Sequence, residues 1–183
     1  ENPDALSTCD PVGGPVTSGC FVADTIPPLF RSTIVPAADI ITPNQFELGY
    51  LTERDVTDLD STLAAVDAAR EMGPSTVLVT SVKRPETPED AVEMIAVDDN
   101  GKWIVRTPRL PFKRNGSGDV TAALFTGHYL RGRDAKDALA KTASSVYDLL
   151  RVTFEADSPE LKLVEAQDFY ANPQLQFCLL YTS

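Results

Sequence analysis

Clustered positive charge is absent from this chain. No run of five or more Lys or Arg occurs, and 27 acidic residues against 16 basic ones leave a formal charge of −11. A nucleic-acid groove or an anionic membrane surface needs grouped cations, so neither is an expected partner. The apolar stretches fall well short of the ~18–20 residues that span a bilayer. Glu1-Asn2-Pro3-Asp4 offers neither a basic n-region nor an apolar h-region, and no secretory signal is expected there. Cysteine is scarce: Cys9, Cys20 and Cys178 are odd in number and lack CxxC or Cys/His ligand spacing. Reduced thiols and a cytoplasmic location are therefore expected in place of a disulfide or metal framework. His128 is the only histidine, and no internal repeat or linker divides the chain.

What is present suits one globular domain with a buried core: 183 residues, 43% apolar and 23% charged. Leu6 to Val12 reads as a short strand leading into a Pro/Gly-rich loop, and Pro27 to Val35 as a short helix. Ala38 to Thr42 is short, β-branched and stopped by Pro43, which predicts a buried strand. Asn44 to Thr52 reads as a short helix and Asp58 to Met72 as a longer one, with Leu59, Leu63, Val66 and Ala69 at helical spacing and Gly73-Pro74 as its stop. Thr76 to Thr80 is a second buried strand. Met94 to Val97 and Trp103 to Thr107 flank Asn100-Gly101, a hairpin signal. Val120 to Leu130 and Ala135 to Phe154 read as helices, the second capped by Asp134. This order predicts an α/β fold with a doubly wound, mostly parallel sheet covered on both faces.

Such sheets normally use five or more strands, and three plus a hairpin are legible. Residues 1–177 are therefore expected to be the C-terminal part of a single domain lacking its N-terminal portion. Residues 178–183, an apolar stretch after a natural stop at Gln176-Phe177, read as a non-native tail.

Asn115-Gly116-Ser117-Gly118-Asp119 stands immediately before a predicted helix. Glycines let the backbone turn and aim successive N–H groups at one place, and a helix N-terminus adds about half a positive charge there. Asp119 on the first turn is placed to take a proton from a substrate hydroxyl, and phosphoryl transfer needs this pairing of anion donors with a base. An ordinary Gly-rich turn with Asp119 as a capping residue remains the alternative. In Thr42-Pro43-Asn44-Gln45-Phe46-Glu47 an amide and a carboxylate three apart project together from the sheet edge that binds ligands in open α/β folds. There Asn44 could contact phosphate and Glu47 could order Mg²⁺ through water, whereas a capping box is the plainer reading. Asp10, Thr80 and Ser81 also end strands, as candidate metal, phosphate or nucleotide contacts or simply as turn residues.

Cys9-Asp10-Pro11-Val12, then Ile40-Ile41-Thr42-Pro43-Asn44-Gln45-Phe46-Glu47-Leu48, then Val79-Thr80-Ser81, then Asn115-Gly116-Ser117-Gly118-Asp119-Val120 together resemble the pyridoxal kinases of the ribokinase-like superfamily. The resemblance runs from Leu6 to Phe177. It implies a ribokinase-like fold and ATP-dependent phosphorylation of the 5′-hydroxymethyl group of pyridoxal, pyridoxine or pyridoxamine. Asp119 would be the catalytic base and Gly116, Ser117 and Gly118 the anion hole. Asp10, Asn44 and Glu47 would surround the Mg²⁺–ATP phosphates, Thr42 and Thr80 would line a site for a monovalent cation, K⁺ or Na⁺, and Ser81 would lie beside the nucleotide. Thr107 to Phe112 would run along it, and the full-length enzyme would be a homodimer.

The chain departs from that pattern where Val12 runs directly into Gly13-Gly14, one residue short, and where Phe21 replaces a Tyr found in some members. Rival readings are a ribokinase-like kinase for hydroxymethylpyrimidine or a sugar, and a nucleotide-binding protein without turnover. His128, nine residues past Asp119, reads as structural, and Trp103 as a core or edge anchor. Lys113-Arg114 reads equally as a phosphate contact or a solvated pair. Glu86 to Asp90 reads as a mobile loop, with a flap over the nucleotide as its functional version.

Overall fold

Alternating side chains along the strands feed two separate cores, one on each face of a single sheet. The computed structural model describes residues 5–11, 26–112 and 115–182. The strands, in spatial as well as chain order, are β1 (Thr8–Cys9), β2 (Ile40–Ile41), β3 (Thr76–Val82), β4 (Ala91–Asp98), β5 (Gly101–Pro108) and β6 (Leu179–Tyr181). Between β1 and β2 lie α1 (Ile26–Leu29), a π-helical turn (Phe30–Ile34) and α2 (Val35–Ala37). α3 (Gln45–Thr52) and α4 (Leu59–Glu71) join β2 to β3, and α5 (Ser117–Gly132), α6 (Ala135–Glu155) and α7 (Gln167–Ala171) precede β6.

Ile41, Val77, Val79, Ile95, Val97 and Ile104 point to one face, where they meet Leu48 and Leu51 of α3 and Leu63, Val66 and Ala69 of α4. Their neighbours Ile40, Leu78, Ala96, Trp103 and Val105 point to the other and meet Phe125 of α5 and Ala135, Ala138, Leu139 and Ala143 of α6. The alanines let α6 lie close to the sheet. Each fully buried large side chain contributes about 1.5–3 kcal/mol relative to exposure. α4 has a reciprocal cap between Asp58 and Ser61, and Asp134 caps α6 as expected, accepting from Lys136 N and Asp137 N at 2.8 and 3.3 Å. Gly73 turns the chain out of α4 at φ 151°, where an added Cβ would lie 2.5 Å from the Pro36 carbonyl oxygen.

The α/β class and the helices on both faces agree with expectation; a mostly parallel sheet does not. β1–β2 and β2–β3 pair in parallel, whereas β3–β4, β4–β5 and β5–β6 are antiparallel. The Val82-to-Ala91 connection and the Asp99-Asn100 turn are too short for a crossover, which takes a dozen or more residues. Within the segment read as a tail, Leu179–Tyr181 form β6, and the Tyr181 ring meets Trp103 edge-on at 6.4 Å.

The β3–β4 connection is anchored by a buried charge cluster. Glu93, 1% exposed, accepts from Arg84 Nε at 2.7 Å, Arg106 Nη2 at 2.8 Å and Thr87 Oγ1 at 3.0 Å. Burial pushes its carboxyl pKa up, but the bonds from Arg84, Arg106 and Thr87 outweigh burial and hold it below the ordinary range. Removing one partner of a buried pair strands the other, so Glu93→Gln should cost roughly 3 kcal/mol in urea unfolding at neutral pH. A carboxylate whose native pKa lies below the unfolded value stabilises fully above that value, ~4.3, and loses its contribution as pH falls through the native one. The gap between wild type and Glu93→Gln should therefore close in acid; a gap independent of pH would contradict the assignment.

Candidate active site

Because β1, β2 and β3 run parallel, they deliver three segments to the same edge of the sheet. Asp10 follows β1, Thr42 follows β2, and Thr80-Ser81 lie near the end of β3. Thr42 Oγ1 donates to Asp10 Oδ1 at 3.1 Å, and Thr42 N donates to the Cys9 carbonyl at 3.1 Å. Thr80 N donates to the Pro43 carbonyl at 2.9 Å, and Thr80 bridges Asn44 in parallel register.

β3 is irregular here. Val79 faces Ile95 while Val82 faces Glu93, so β3 carries one extra residue against β4. Ser81 takes up the slack in the left-handed region, at φ 54°. A non-glycine residue held there costs about 1–3 kcal/mol, and bulges of this kind gather beside functional sites. The result is an exposed Ser81 at the rim.

α3 begins with the capping box. Asn44 Oδ1 accepts from Glu47 N at 2.9 Å, and Glu47 Oε2 accepts from Asn44 N at 2.8 Å. Both residues thus hold the start of α3, which leaves Glu47 buried at 8% exposure with its carboxylate fixed beside the strand ends. The plainer reading of this pair is what the structure contains; the box also positions the amide and carboxylate at the sheet edge.

At α5 the outcome differs. Its N-cap is Gly116 at φ 86°, with no capping side chain, and Asp119 lies in the first turn, exposed to solvent. Val120 N is bonded to the Gly116 carbonyl at 3.0 Å. The N–H groups before Val120 belong to the turn that an α-helix leaves without internal partners. Among the described residues, nothing outside the helix's own backbone lies within 4 Å of a Cβ added at Gly118. The charge of Asp119 is felt at Asp10. Burial raises the Asp10 pKa, the Thr42 hydrogen bond lowers it and the Asp119 charge raises it, leaving it above the ordinary value. Asp10, Glu47 and Asp119 thus share one neighbourhood.

A cavity of about 190 Å³ opens between β3, β5, α5 and α6. Thr80, Ser81, Ser117 and Gly118 form its polar end; Met94, Leu110, Val146 and Leu150 are among its apolar walls. Its rim includes Phe112, whose ring stacks on Phe154 at 5.3 Å. The Thr107-to-Phe112 stretch expected along the nucleotide lines this cavity, with Thr107, Pro108, Arg109, Leu110 and Phe112. The α6 side of the cavity is not readable from the chain, because its residues belong to an apolar stripe like any core-facing one.

All the predicted site residues lie at this edge: Asp10, Thr42, Asn44, Glu47, Thr80, Ser81, Gly116, Ser117, Gly118 and Asp119. Val12, Gly13-Gly14, Cys20, Phe21 and Lys113-Arg114 lie outside the described residues. Among the described residues no three His, Cys, Asp or Glu side chains group closely enough to hold a metal. The carboxylates present suit an ion that brings most of its oxygens with it, as Mg²⁺ does on nucleotide phosphates. His128 is 5% exposed inside α5, and burial, with Lys141 and Arg131 nearby, holds its pKa below the ordinary value. Trp103 is a core residue at 7% exposure. The base of the loop read as mobile is tied down through Arg84 and Thr87, and no helix among the described residues is long and apolar enough to cross a membrane.

A family model described as phosphomethylpyrimidine kinase matches residues 4–162. The chain is 66% identical over 176 residues to a pyridoxal kinase PdxY of Corynebacterium diphtheriae, covering 96% of this chain and 62% of that protein. It is 65% identical over 178 residues to a pyridoxal kinase PdxY of Leifsonia xyli subsp. xyli, covering 97% of this chain and 63% of the relative. Among solved structures, pyridoxal kinase from Leishmania donovani in complex with ADP and pyridoxine superposes with a TM-score of 0.86 at 23% identity, over 98% of this chain and 62% of that one. At such identity the likeness speaks for the ribokinase-like fold alone. The chain spans less than two thirds of the length of these relatives.

Cys9 belongs to this edge without being a nucleophile. Burial, then the charges of Asp10 and Glu47, push its thiol pKa up to about 11 from 9.0. Near neutral pH roughly one molecule in 10⁴ carries the thiolate. Iodoacetamide should therefore label exposed Cys178 and leave Cys9 intact in the native protein, with Cys9 reacting once urea is added. Rapid native labelling of Cys9, read by peptide mass spectrometry, would show that the thiol is not held in this environment.

Proposed function

This chain belongs to the phosphomethylpyrimidine kinase family, and from that premise we propose that it carries the nucleotide-binding and proton-accepting part of a pyridoxal kinase, phosphorylating the 5′-hydroxymethyl group of a B6 vitamer at the expense of ATP. The observation that carries the proposal is the first turn of α5: an N-terminus without a capping side chain, no described residue close before Gly118, and an exposed Asp119 whose charge is felt at Asp10. The naming of the curated relatives as pyridoxal kinases supports the vitamer as substrate.

In this reading the nucleotide base and ribose occupy the cavity between β5 and α6, and the phosphates point toward Ser117 and Gly118 at its polar end. The N–H groups at Gly116, Ser117 and Gly118 and the positive end of α5 stabilise the three equatorial oxygens of the moving phosphoryl group. Asp119 accepts the proton of the 5′-hydroxyl as the hydroxyl oxygen bonds to the γ-phosphorus; the bond from that phosphorus to the β–γ bridging oxygen breaks, and the oxygen leaves with its electron pair as part of ADP. Asp10 and Glu47 would hold Mg²⁺ on the phosphates, which Asn44 would contact, and the ion would supply charge neutralisation. Thr42 and Thr80 would offer hydroxyls to a monovalent cation, with Ser81 beside the nucleotide. A homodimeric whole enzyme in the cytoplasm belongs to the same proposal.

Asp119→Asn should lower kcat by about 10²–10⁴-fold while ATP affinity stays within a few-fold. The assay follows pyridoxal phosphate formation by this chain and by the chain extended to the length of its relatives. Hydroxymethylpyrimidine belongs in the substrate panel, because the matching family model is described by that chemistry. Equal turnover of wild type and Asp119→Asn would remove the base; phosphorylation of the pyrimidine alone would move the proposal to that substrate.

A further inference from the structure

Gln45 stands between the two residues that the motif made conspicuous, and its side chain does more than either. Its Nε2 donates to the Val56 carbonyl at 2.9 Å and to the Lys83 carbonyl at 3.1 Å. Its Oε1 accepts from Lys83 N at 2.8 Å. One primary amide therefore makes a two-way pair with the backbone of Lys83, in the manner of a strand neighbour, and ties in the segment after α3 as well. This happens where β3 most needs it. The bulge at Thr80-Ser81 breaks the regular ladder to β4, and the chain from Thr80 to Lys83 is stitched instead to the start of α3, through Thr80 N to the Pro43 carbonyl at 2.9 Å and through Gln45.

The stitched segment separates two openings. Thr80 and Ser81 line the cavity that reaches the first turn of α5. On its other side Ser81 and Lys83 line a wider groove with Asn44, Gln45, Arg54 and Arg109. Hydrogen bonding of this completeness serves to hold Ser81 in its left-handed conformation and to fix the gap between β3 and α5.

We infer that Gln45 is a positioning residue for nucleotide binding: its amide sets the backbone of residues 80–83, and through it the width and polar lining of the phosphate end of the cavity. The inference rests on the kinase reading for its enzymatic readout and on the geometry alone for its binding readout. A leucine at this position keeps the bulk and loses all three bonds. A misplacement of about 1 Å in a binding wall can cost up to two orders of magnitude, so Gln45→Leu should raise the KM for ATP about tenfold. The KM for pyridoxal and kcat should stay within a few-fold, and the Lys83 amide should exchange with deuterium faster than in wild type.

The experiment measures both substrates' kinetic constants, thermal unfolding and amide exchange on the chain extended to its relatives' length, for wild type, Gln45→Leu and Gln45→Glu. Gln45→Glu keeps the acceptor for Lys83 N and loses the donors, and it is read in the same way should Gln45→Leu not fold. A rise confined to the ATP constant with faster Lys83 exchange supports the inference. Unchanged ATP binding in a folded variant overturns it, as does loss of both substrates in step with loss of folded protein. If the wild type phosphorylates no vitamer, the kinase reading fails by itself. Calorimetry with a non-hydrolysable ATP analogue then decides on Gln45, about tenfold weakening supporting its role and equal affinity overturning it. A wild type that binds no nucleotide overturns both.

Discussion

Parallel pairing of β1, β2 and β3 is the constraint from which the site follows. Register fixes Cys9 beside Ile41 and Ile41 beside Val77, so the residues that continue past these strands emerge side by side. A one-residue slip in such a ladder would turn every side chain to the opposite face. The two cores tolerate no such slip, because Ile40 and Ile41, or Leu78 and Val79, are each fully buried on different sides. Apolar burial therefore aligns Asp10, Thr42 and Thr80, and the polar contacts among the three segments act on an arrangement the cores have already made.

The electrostatics of this edge are paradoxical for the anionic ligand that the kinase proposal places there. The chain carries −11 overall, and the charge of Asp119 is felt at Asp10, as those of Asp10 and Glu47 are at Cys9. Burial first, and these charges after it, push Asp10 and Cys9 toward their neutral forms. Such a neighbourhood suits a phosphorylated ligand only if positive charge comes from elsewhere. The start of α5 supplies part of it through backbone N–H groups, and a divalent ion carried on the ligand would supply the rest. Backbone dipoles have the advantage of being fixed before the ligand arrives, so little reorganisation is needed when charge moves.

The chain's local turns and helix starts were more legible than its sheet. The Gly116-Ser117-Gly118-Asp119 turn and the Asn44-to-Glu47 pair could be read directly, because φ requirements and helix starts are local matters settled within a few residues. The sense of strand pairing was legible only in part: β4 and β5 were plain as a hairpin, but the antiparallel union of β3 with β4 depends on a connection whose path is pinned by Glu93, Arg84 and Arg106. Those three residues lie up to 22 positions apart, and nothing in their spacing marks them as a buried cluster.

By itself the sequence determined the α/β class, the helices, and the polar residues that end the strands and open the helices, since periodicity, caps and glycine conformations are short-range properties. Tertiary structure alone decided that Ser81 adopts a left-handed turn, that Gln45 reaches Lys83, and that Ala143 of α6 walls a cavity as well as a core. The physical reason is that each of these depends on where segments distant in the chain come to rest, from 12 residues between Ser81 and Glu93 to 67 between Thr80 and Tyr147, and that distance is closed only when the two faces of the sheet are buried at once.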